Sequence, residues 1–196
     1  MQEIINDIIE VFNANSIAQS VGLFALIVQM VVMSNKNDKT YILYQSFAYI
    51  IWTIHFFLMG LYIAAAIGIF NMLRGFASLK FSKNIKVFLV FFVLYSLNGI
   101  FNFQNYISLF AIFASLLACY AFFFLSGKGI IFRLTMLVVI SSWFTYHMLN
   151  QSIGGAINEF LMMVITIITI FRLYRDKVKL KNNLELEPVL VKINDK

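Results

Sequence analysis

Long stretches without a charged side chain constrain this sequence more than any other feature. Asp, Glu, Lys and Arg are all missing from residues 11–35, 40–73, 87–127, 134–158 and 160–171. A helix that crosses a bilayer needs about 20 apolar residues, so stretches of these lengths predict several membrane passes. Charged residues make up 12% of the chain and apolar residues 61%, and this composition excludes a soluble globular protein.

The lengths of these stretches predict seven transmembrane helices. Residues 11–35 fit one helix. Two short helices joined by a tight turn fit residues 40–73, residues 87–127 and residues 134–171, where the last two charge-free stretches are separated only by Glu159. We expect the turns at residues 59–61, 102–105 and 150–152. Such short connections leave no room for a domain outside the membrane, so the expected fold class is all-α, a polytopic bundle of seven helices.

Seven passes place all 15 basic residues of the chain on one side of the membrane. Lys and Arg in short loops are retained on the cytoplasmic side, so this bias predicts an outer N-terminus and a cytoplasmic C-terminus. Apolar residues recur at helical spacing between Ile4 and Phe12. They fit a helix on the outer surface, an extension of the first span or a frayed terminus.

A shift of 92 residues aligns the two halves of the chain and pairs His55 with His147, the only histidines in the sequence, each in a Thr-x-His motif. The shift lays spans one to three over spans five to seven, and the single span between them gives both triplets the same direction through the membrane. The sequence therefore predicts a 3+1+3 parallel repeat. We expect an outer segment at residues 1–16, a first three-helix repeat at 17–78 and a linker helix at 86–101. A second three-helix repeat is expected at residues 105–172 and a cytoplasmic basic tail at 173–196.

Residues in both halves carry a resemblance to a known family. They are Gln19, Gly22, His55, Phe56, Phe57, Leu58, Gly60, Asn71, Arg74, Lys128, Gly129, Arg133, Trp143, His147, Ser152, Ile153, Gly154, Gly155, Glu159 and Arg172. On this pattern the sequence resembles the YgjV family of bacterial inner-membrane proteins over residues 17–176. The resemblance implies a multi-pass protein of the bacterial inner membrane. It also implies a fold related to the 3+1+3 group of SWEET-like sugar facilitators, PQ-loop proteins and nicotinamide riboside transporters.

The sequence departs from that wider group in the proline motif expected in the first helices. The only proline is Pro188, in the tail. Flexing of the triplets is therefore expected at glycine instead, at Gly22, Gly68, Gly99, Gly154 or Gly155.

Glu159 is the only acidic residue inside a predicted span, about 10 Å below the outer surface at about 1.5 Å of rise per residue. A charge at that depth costs at least about 2.5 kcal/mol on the insertion scale, so the carboxyl group must be neutralised, paired or hydrated. One interpretation is a substrate or proton site; the alternative is a hydrogen-bonded carboxyl group that fixes helix packing. The neighbouring Asn158 points about 100° around the helix, so at most one of the two faces a central axis squarely.

His55 and His147 both lie in the outer halves of their predicted spans, roughly level with Glu159. If the repeat holds, we expect the two histidines to be related by a pseudo-twofold axis and to flank one cavity. The Glu159 carboxylate is then expected to pair with one of the histidines, and such a pair can relay protons. The alternative is that each histidine only forms a hydrogen bond at a helix interface. No helix carries two ligands at i and i+4, so neither a metal site nor a cofactor is predicted.

Aromatic and amide side chains indicate a polar interior. Trp52 and Trp143 nearly coincide in the repeat, and each is either an anchor in the aromatic belt at the membrane surface or part of the cavity wall. Asn71, Asn98 and Gln29 are amides at membrane depth, where each needs a partner or water. As a group they predict a polar pathway through the bundle.

Arg74, Arg133 and Arg172 stand at the inner ends of predicted spans three, six and seven. One interpretation is that they orient the protein and contact anionic lipid headgroups; the alternative is an inner gate that pairs with Asp38. The basic tail is expected to lie in solvent or against lipid. It lacks the interleaved aromatic residues of a nucleic-acid binder.

The predicted function is transport of a small polar solute. A carrier or facilitator rocks one triplet against the other around a midmembrane site. A membrane-embedded enzyme is not expected, because no nucleophile and base set or phosphate loop is visible. A sensor or scaffold without transport activity is the alternative. The expected partners are the solute and membrane lipids, and no nucleic acid is expected. The sequence does not decide whether the chain forms a homo-oligomer.

Overall fold

The computed structural model describes residues 16–59, 62–101, 103, 105–149 and 153–194. The N-terminal segment that contains the apolar pattern from Ile4 to Phe12 lies outside these ranges. So do Gly60, Ser152 and most of the residues expected in the three tight turns.

The described part of the chain is all-helical. Its seven helices are α1 (Ser16–Met33), α2 (Asp38–Leu58), α3 (Tyr62–Lys80), α4 (Ile85–Phe101), α5 (Ser108–Tyr120), α6 (Ile130–Leu149) and α7 (Ile153–Asn194). A π-helical turn, Ala121–Leu125, continues α5. Helix α7 runs on past Arg172, so the expected polar tail is helical as far as Asn194.

Five of the helices are long and apolar enough to cross a membrane. They are α1, α2, α5 with its π-helical turn, α6, and the part Gly155–Leu180 of α7. Helix α4 is apolar but has only 17 residues. The prediction of an all-α, multi-pass membrane protein is therefore confirmed. The count of seven passes stays a prediction.

The helices pack mainly as sequential neighbours. Helix α2 lies between α1 and α3, and α6 lies between α5 and α7. Contacts between α1 and α7, and between α3 and the π-helical turn, join the two groups of three. Helix α4 packs on α5 and has no fully buried residue, so it lies at the rim of the bundle.

Glycine on α3 lets this helix approach α2 closely. A Cβ atom at Gly68 would collide with Thr53 Oγ1, and one at Gly75 would collide with Ser46 Oγ. Each hydroxyl also donates a 2.7 Å hydrogen bond to the carbonyl oxygen four residues earlier in α2. Small residues hold helices together in membranes because lipid offers no hydrophobic driving force for association. The close α2–α3 contact therefore requires glycine, which has no Cβ atom, at positions 68 and 75.

The apolar surface of the bundle faces outward as well as inward. Large apolar side chains such as Ile17, Phe24 and Val31 on α1 are more than half exposed. The buried core lies towards one end, around Tyr41, Phe122 and Phe132, whose rings meet edge-on or tilted. A bilayer around the bundle covers the exposed apolar side chains. Apolar side chains therefore need not all be buried inside the bundle, and polar groups can lie there.

We expect Gly75→Ala to destabilise the protein. The added methyl group overlaps Ser46 Oγ, and overpacking of this kind costs about 1–3 kcal/mol. Thermal unfolding of the purified protein in detergent measures the loss.

The matched control removes the obstacle on the other helix. Ser46→Ala takes away the hydroxyl group, so Gly75→Ala is expected to cost less in that background than in the wild type. Equal losses in the two backgrounds would contradict the close approach of α2 and α3 at this point.

Candidate functional site: a central cavity and its closed end

A cavity of about 790 Å³ lies inside the bundle, and all seven helices contribute to its wall. Small-molecule sites usually occupy about 300–1,000 Å³, so the volume suits a small solute. The cavity extends from Met33 and Tyr41 at one end of the bundle to Phe56, Ser108 and His147 towards the other. We call the first the basic end; it carries the connections 34–37, 81–84 and 126–129, with Lys36, Lys83 and Lys128.

Most of the residues predicted for the solute or proton pathway share this cavity. It is lined by Asn71 on α3, Asn98 on α4, Trp143 and His147 on α6, and Asn158 and Glu159 on α7. Four helices therefore bring these side chains together. Their role in binding or proton transfer stays a prediction.

His55 is the exception, because it does not line the cavity. Its Nδ1 lies 2.8 Å from the carbonyl oxygen of Ala18, which only accepts, so Nδ1 is the donor. The ring packs against Gly22 of α1, where a Cβ atom would approach it to 2.8 Å. The two histidines thus have different surroundings, and only His147 faces the cavity. Of the two interpretations of His55, its position fits the hydrogen bond at a helix interface.

His147 and Glu159 stand on neighbouring helices. The His147 ring stacks on Trp143 with centroids 6.0 Å apart, and Gly155 lets α7 approach, since a Cβ there would collide with that ring. Glu159 Oε1 accepts a 3.3 Å hydrogen bond from Asn158 Nδ2. Among the described side chains, no hydrogen bond links His147 to Glu159.

Hydrogen-bonded amides form another part of the wall. Gln29 and Gln45 donate to each other at 2.9 and 3.1 Å, and both are buried. The Tyr95 hydroxyl group donates to Asn71 Oδ1 at 2.6 Å. Sequence reasoning named Gln29 and Asn71 but missed Gln45. The same argument, an amide inside a charge-free stretch, applies to Gln45 and would have found it.

Both tryptophans of the chain line the cavity. Trp52 stacks on Phe56 with an interplanar angle of 28°, and Phe56 also lines the cavity. Of the two interpretations for these indoles, membrane anchor or cavity wall, the second fits the position of both.

Arg74 lines the cavity from α3 and is only 2% exposed. Its guanidinium lies over two rings, 4.6 Å from the centroid of Phe122 and 5.2 Å from that of Tyr95. Its Nε has no hydrogen-bond partner among the described residues. Such burial is incompatible with contact between this side chain and lipid headgroups.

Asp38 begins α2 and is buried at the basic end. Its Oδ2 accepts hydrogen bonds from the backbone N–H groups of Gly127 and Gly129, at 3.0 and 2.8 Å. Both glycines have positive φ angles, +88° and +55°, which a residue with a side chain rarely adopts. The connection between α5 and α6 therefore folds around the carboxylate of α2.

Arg133 of α6 is the cationic partner of Asp38. Nε of Arg133 lies 3.7 Å from Asp38 Oδ1, and the two side chains are 1% and 2% exposed. Arg133 Nη2 also donates to the carbonyl oxygen of Asn35 at 2.6 Å, and its guanidinium lies 4.2 Å from the centroid of the Tyr41 ring. Like Arg74, this buried side chain does not reach lipid headgroups. Of the three arginines that sequence reasoning offered to Asp38, Arg133 makes the pair.

Helix α7 completes the closure of the basic end. Arg172 Nη1 donates to the carbonyl oxygen of Ser34 at 3.1 Å, and Thr169 Oγ1 donates to that of Met33 at 3.1 Å. Lys36 and Asp176 form an ion pair nearby. The connection between α1 and α2 is thus held by both α6 and α7.

Comparison with known proteins identifies a family whose match covers most of the chain. Residues 16–177 match the Imp-YgjV family, described as "Bacterial inner membrane protein". The chain is 26% identical to "Inner membrane protein YgjV" of Escherichia coli (strain K12) over 159 residues, which is 81% of this chain and 85% of that relative. No solved structure matches the chain at a significant level. The match covers most of the chain, so the protein belongs to the Imp-YgjV family and is a multi-pass protein of the bacterial inner membrane.

Proposed function

We propose that this protein is a membrane carrier or facilitator of a small polar solute, which binds in the central cavity. The observation that carries the proposal is the cavity itself: about 790 Å³, walled by all seven helices and lined by amides, Arg74 and Glu159. Polar and ionisable groups inside a membrane are costly, and they mark solute or ion pathways. A scaffold of spans would not need such a cavity.

A 3+1+3 parallel repeat organises the proposed carrier. A shift of 92 residues carries the first and last residues of α1, Ser16 and Met33, onto Ser108 and Leu125. Those are the first residue of α5 and the last residue of its π-helical turn. The same shift carries Asp38, where α2 begins, onto Ile130, where α6 begins. Helix α4 has no counterpart and is the linker between the repeats.

The contacts between helices support the same symmetry. In the proposed repeat, α1, α2 and α3 correspond to α5, α6 and α7. The α2–α3 contact then corresponds to the α6–α7 contact, and the α1–α2 contact corresponds to the α5–α6 contact. All four contacts are extensive. The α1–α7 contact likewise corresponds to one between α5 and α3, which the π-helical turn makes. Tyr41 and Arg133 are counterparts under the shift, and they stack on each other. Two counterparts in contact lie close to the pseudo-twofold axis.

The closed basic end suggests how access to the cavity alternates. In this structure Asp38, Arg133 and Arg172 bind the two repeats together at the basic end, while the cavity continues towards the opposite end. Rocking one repeat against the other separates these groups and opens the basic end. With the N-terminus outside, the basic end is cytoplasmic, and the cavity is directed outward.

Glu159 and His147 are the proposed proton or substrate groups of the cavity. They come from adjacent helices of the second repeat, and Gly155 brings those helices together. A carboxyl group in such a cavity can accept a hydrogen bond from a solute, and it can also bind and release a proton. An amide of the same size cannot bind and release a proton in this way.

The orientation is tested by labelling single cysteines in whole cells. Gly60→Cys and Gln151→Cys are expected to react with an impermeant thiol reagent from outside, whereas Ser82→Cys and Lys128→Cys are not. The background is Cys119→Ser, since Cys119 is buried and is the only native thiol. Labelling of Ser82→Cys from outside would overturn the proposed topology.

Glu159→Gln is expected to keep the fold and to abolish either solute binding or the proton dependence of transport. The amide preserves the size of the side chain and its hydrogen bond with Asn158, but it does not carry a negative charge or a transferable proton. Gel filtration checks the fold, and uptake into proteoliposomes across a pH range checks the function. The solute used in the uptake assay is chosen beforehand: it is the member of a metabolite panel that most raises the thermal unfolding temperature of the wild-type protein. Unchanged uptake across that range would reduce Glu159 to a packing role.

The two histidines provide a matched pair. His147→Ala is expected to weaken solute binding more than folding, because this ring faces the cavity. His55→Ala is expected to lower thermal stability and leave binding within about twofold, because its ring packs between α1 and α2. Equal effects of the two substitutions on binding would argue against the cavity as the binding site.

A further inference from the structure

We propose that the transported solute is an organic anion, and that its carboxylate or phosphate group binds the guanidinium of Arg74. This inference rests on the proposed carrier function and specifies the chemical class of the solute. It follows from the surroundings of Arg74, from the positions of the acidic side chains and from a comparison with Arg133.

Arg74 is a buried cation in the wall of a membrane cavity. It lies within α3, before the helix ends at Lys80, and is 2% exposed. A charged side chain at such a position normally pairs with an acidic group, because the membrane interior does not solvate it. The rings of Tyr95 and Phe122 provide cation–π contacts, but Nε has no hydrogen-bond partner among the described residues. The guanidinium therefore retains capacity to bind an oxyanion.

None of the three acidic side chains whose surroundings the structure describes neutralises Arg74. Asp38 is held by Arg133 and two backbone N–H groups, and Asp176 pairs with Lys36. Glu159 stands on α7, with Asn158 as its hydrogen-bond partner, and forms no ion pair with Arg74. A negatively charged solute supplies the counter-charge that these carboxylates do not.

Arg133 shows how this protein treats an arginine whose role is structural. It is as buried as Arg74 and also lies over an aromatic ring, that of Tyr41. Nε of Arg133 also makes no hydrogen bond with a described residue. Arg133, however, has Asp38 as an ionic partner and the Asn35 carbonyl oxygen as an acceptor. The two arginines differ in their partners, and only Arg74 lines the cavity.

The remaining wall of the cavity suits the carbon skeleton of such a solute. A guanidinium binds carboxylate and phosphate groups through two parallel N–H donors, which fixes their orientation. The indoles of Trp52 and Trp143 offer flat apolar surfaces, and Asn71 and Asn98 are amides for the hydroxyl or amide groups of the solute. The expected ligand is therefore a small organic anion with further polar groups.

The two tryptophans report directly on occupancy of the cavity. Because both line it, intrinsic fluorescence of the purified protein in neutral detergent is expected to change when a solute binds. The probes are matched by skeleton: succinate against succinamide, and glucose 6-phosphate against glucose, with choline as a cation. We expect a saturable change with at least one anion and none with its neutral partner. The succinate and glucose 6-phosphate arms distinguish a carboxylate from a phosphate.

The decisive variant is Arg74→Met, with Arg133→Met as its matched control. Arg74→Met is expected to weaken anion binding about tenfold or more, while its thermal unfolding temperature stays equal to that of the wild type or rises. Arg74→Lys keeps the charge and is expected to retain part of the binding. Arg133→Met is expected to lower the unfolding temperature clearly, because it leaves Asp38 buried without its cation.

Each outcome decides between the proposals. Saturable binding of a neutral solute that Arg74→Met leaves unchanged would overturn the anion assignment and leave the carrier proposal standing. A loss of stability in Arg74→Met as large as in Arg133→Met would also overturn it, since Arg74 would then be structural. Failure of every probe to change the fluorescence, anions and neutral solutes alike, would count against both the anion and the carrier.

Discussion

A buried ion pair at the basic end holds the two halves of this bundle together. Asp38 begins α2 in the first half, Arg133 lies in α6 of the second, and neither side chain reaches solvent. The pair also organises its surroundings, because Asp38 binds the glycine connection before α6 and Arg133 binds the connection after α1. Removal of one partner leaves the other as an uncompensated buried charge, which typically costs about 3–5 kcal/mol. Folding of this end is therefore conditional on both halves.

The bilayer explains why this protein has a polar cavity surrounded by apolar surfaces. The hydrophobic effect does not drive association of helices that already lie in lipid. Close packing at small residues therefore holds helix pairs together. Gly75 against Ser46 joins α3 to α2, and Gly155 beside His147 joins α7 to α6. The cavity lies among these helices, and all seven contribute to its wall.

The sequence predicted where a helix ends better than which way its side chains point. Charge-free lengths placed a turn at residues 59–61, and the structure ends α2 at Leu58 and begins α3 at Tyr62. The direction was harder because lipid makes the outer face of a helix as apolar as the inner face, and α4 shows no distinct buried side. His55 was therefore predicted to flank the cavity, although its ring packs against α1. The extension of α7 was missed because charged residues mark the end of a span, not the end of a helix.

The chemistry of the cavity arises where the proposed repeats differ. A shift of 92 residues pairs Arg74 with Thr166 and Glu159 with Ile67, so each charged cavity residue has an uncharged counterpart. The first repeat thereby supplies the cation and the second supplies the carboxyl group. A solute that contacts both groups bridges the two repeats, and its binding free energy depends on their relative position. A ligand shifts a conformational equilibrium only by its difference in affinity for the two states, and this asymmetry provides such a difference.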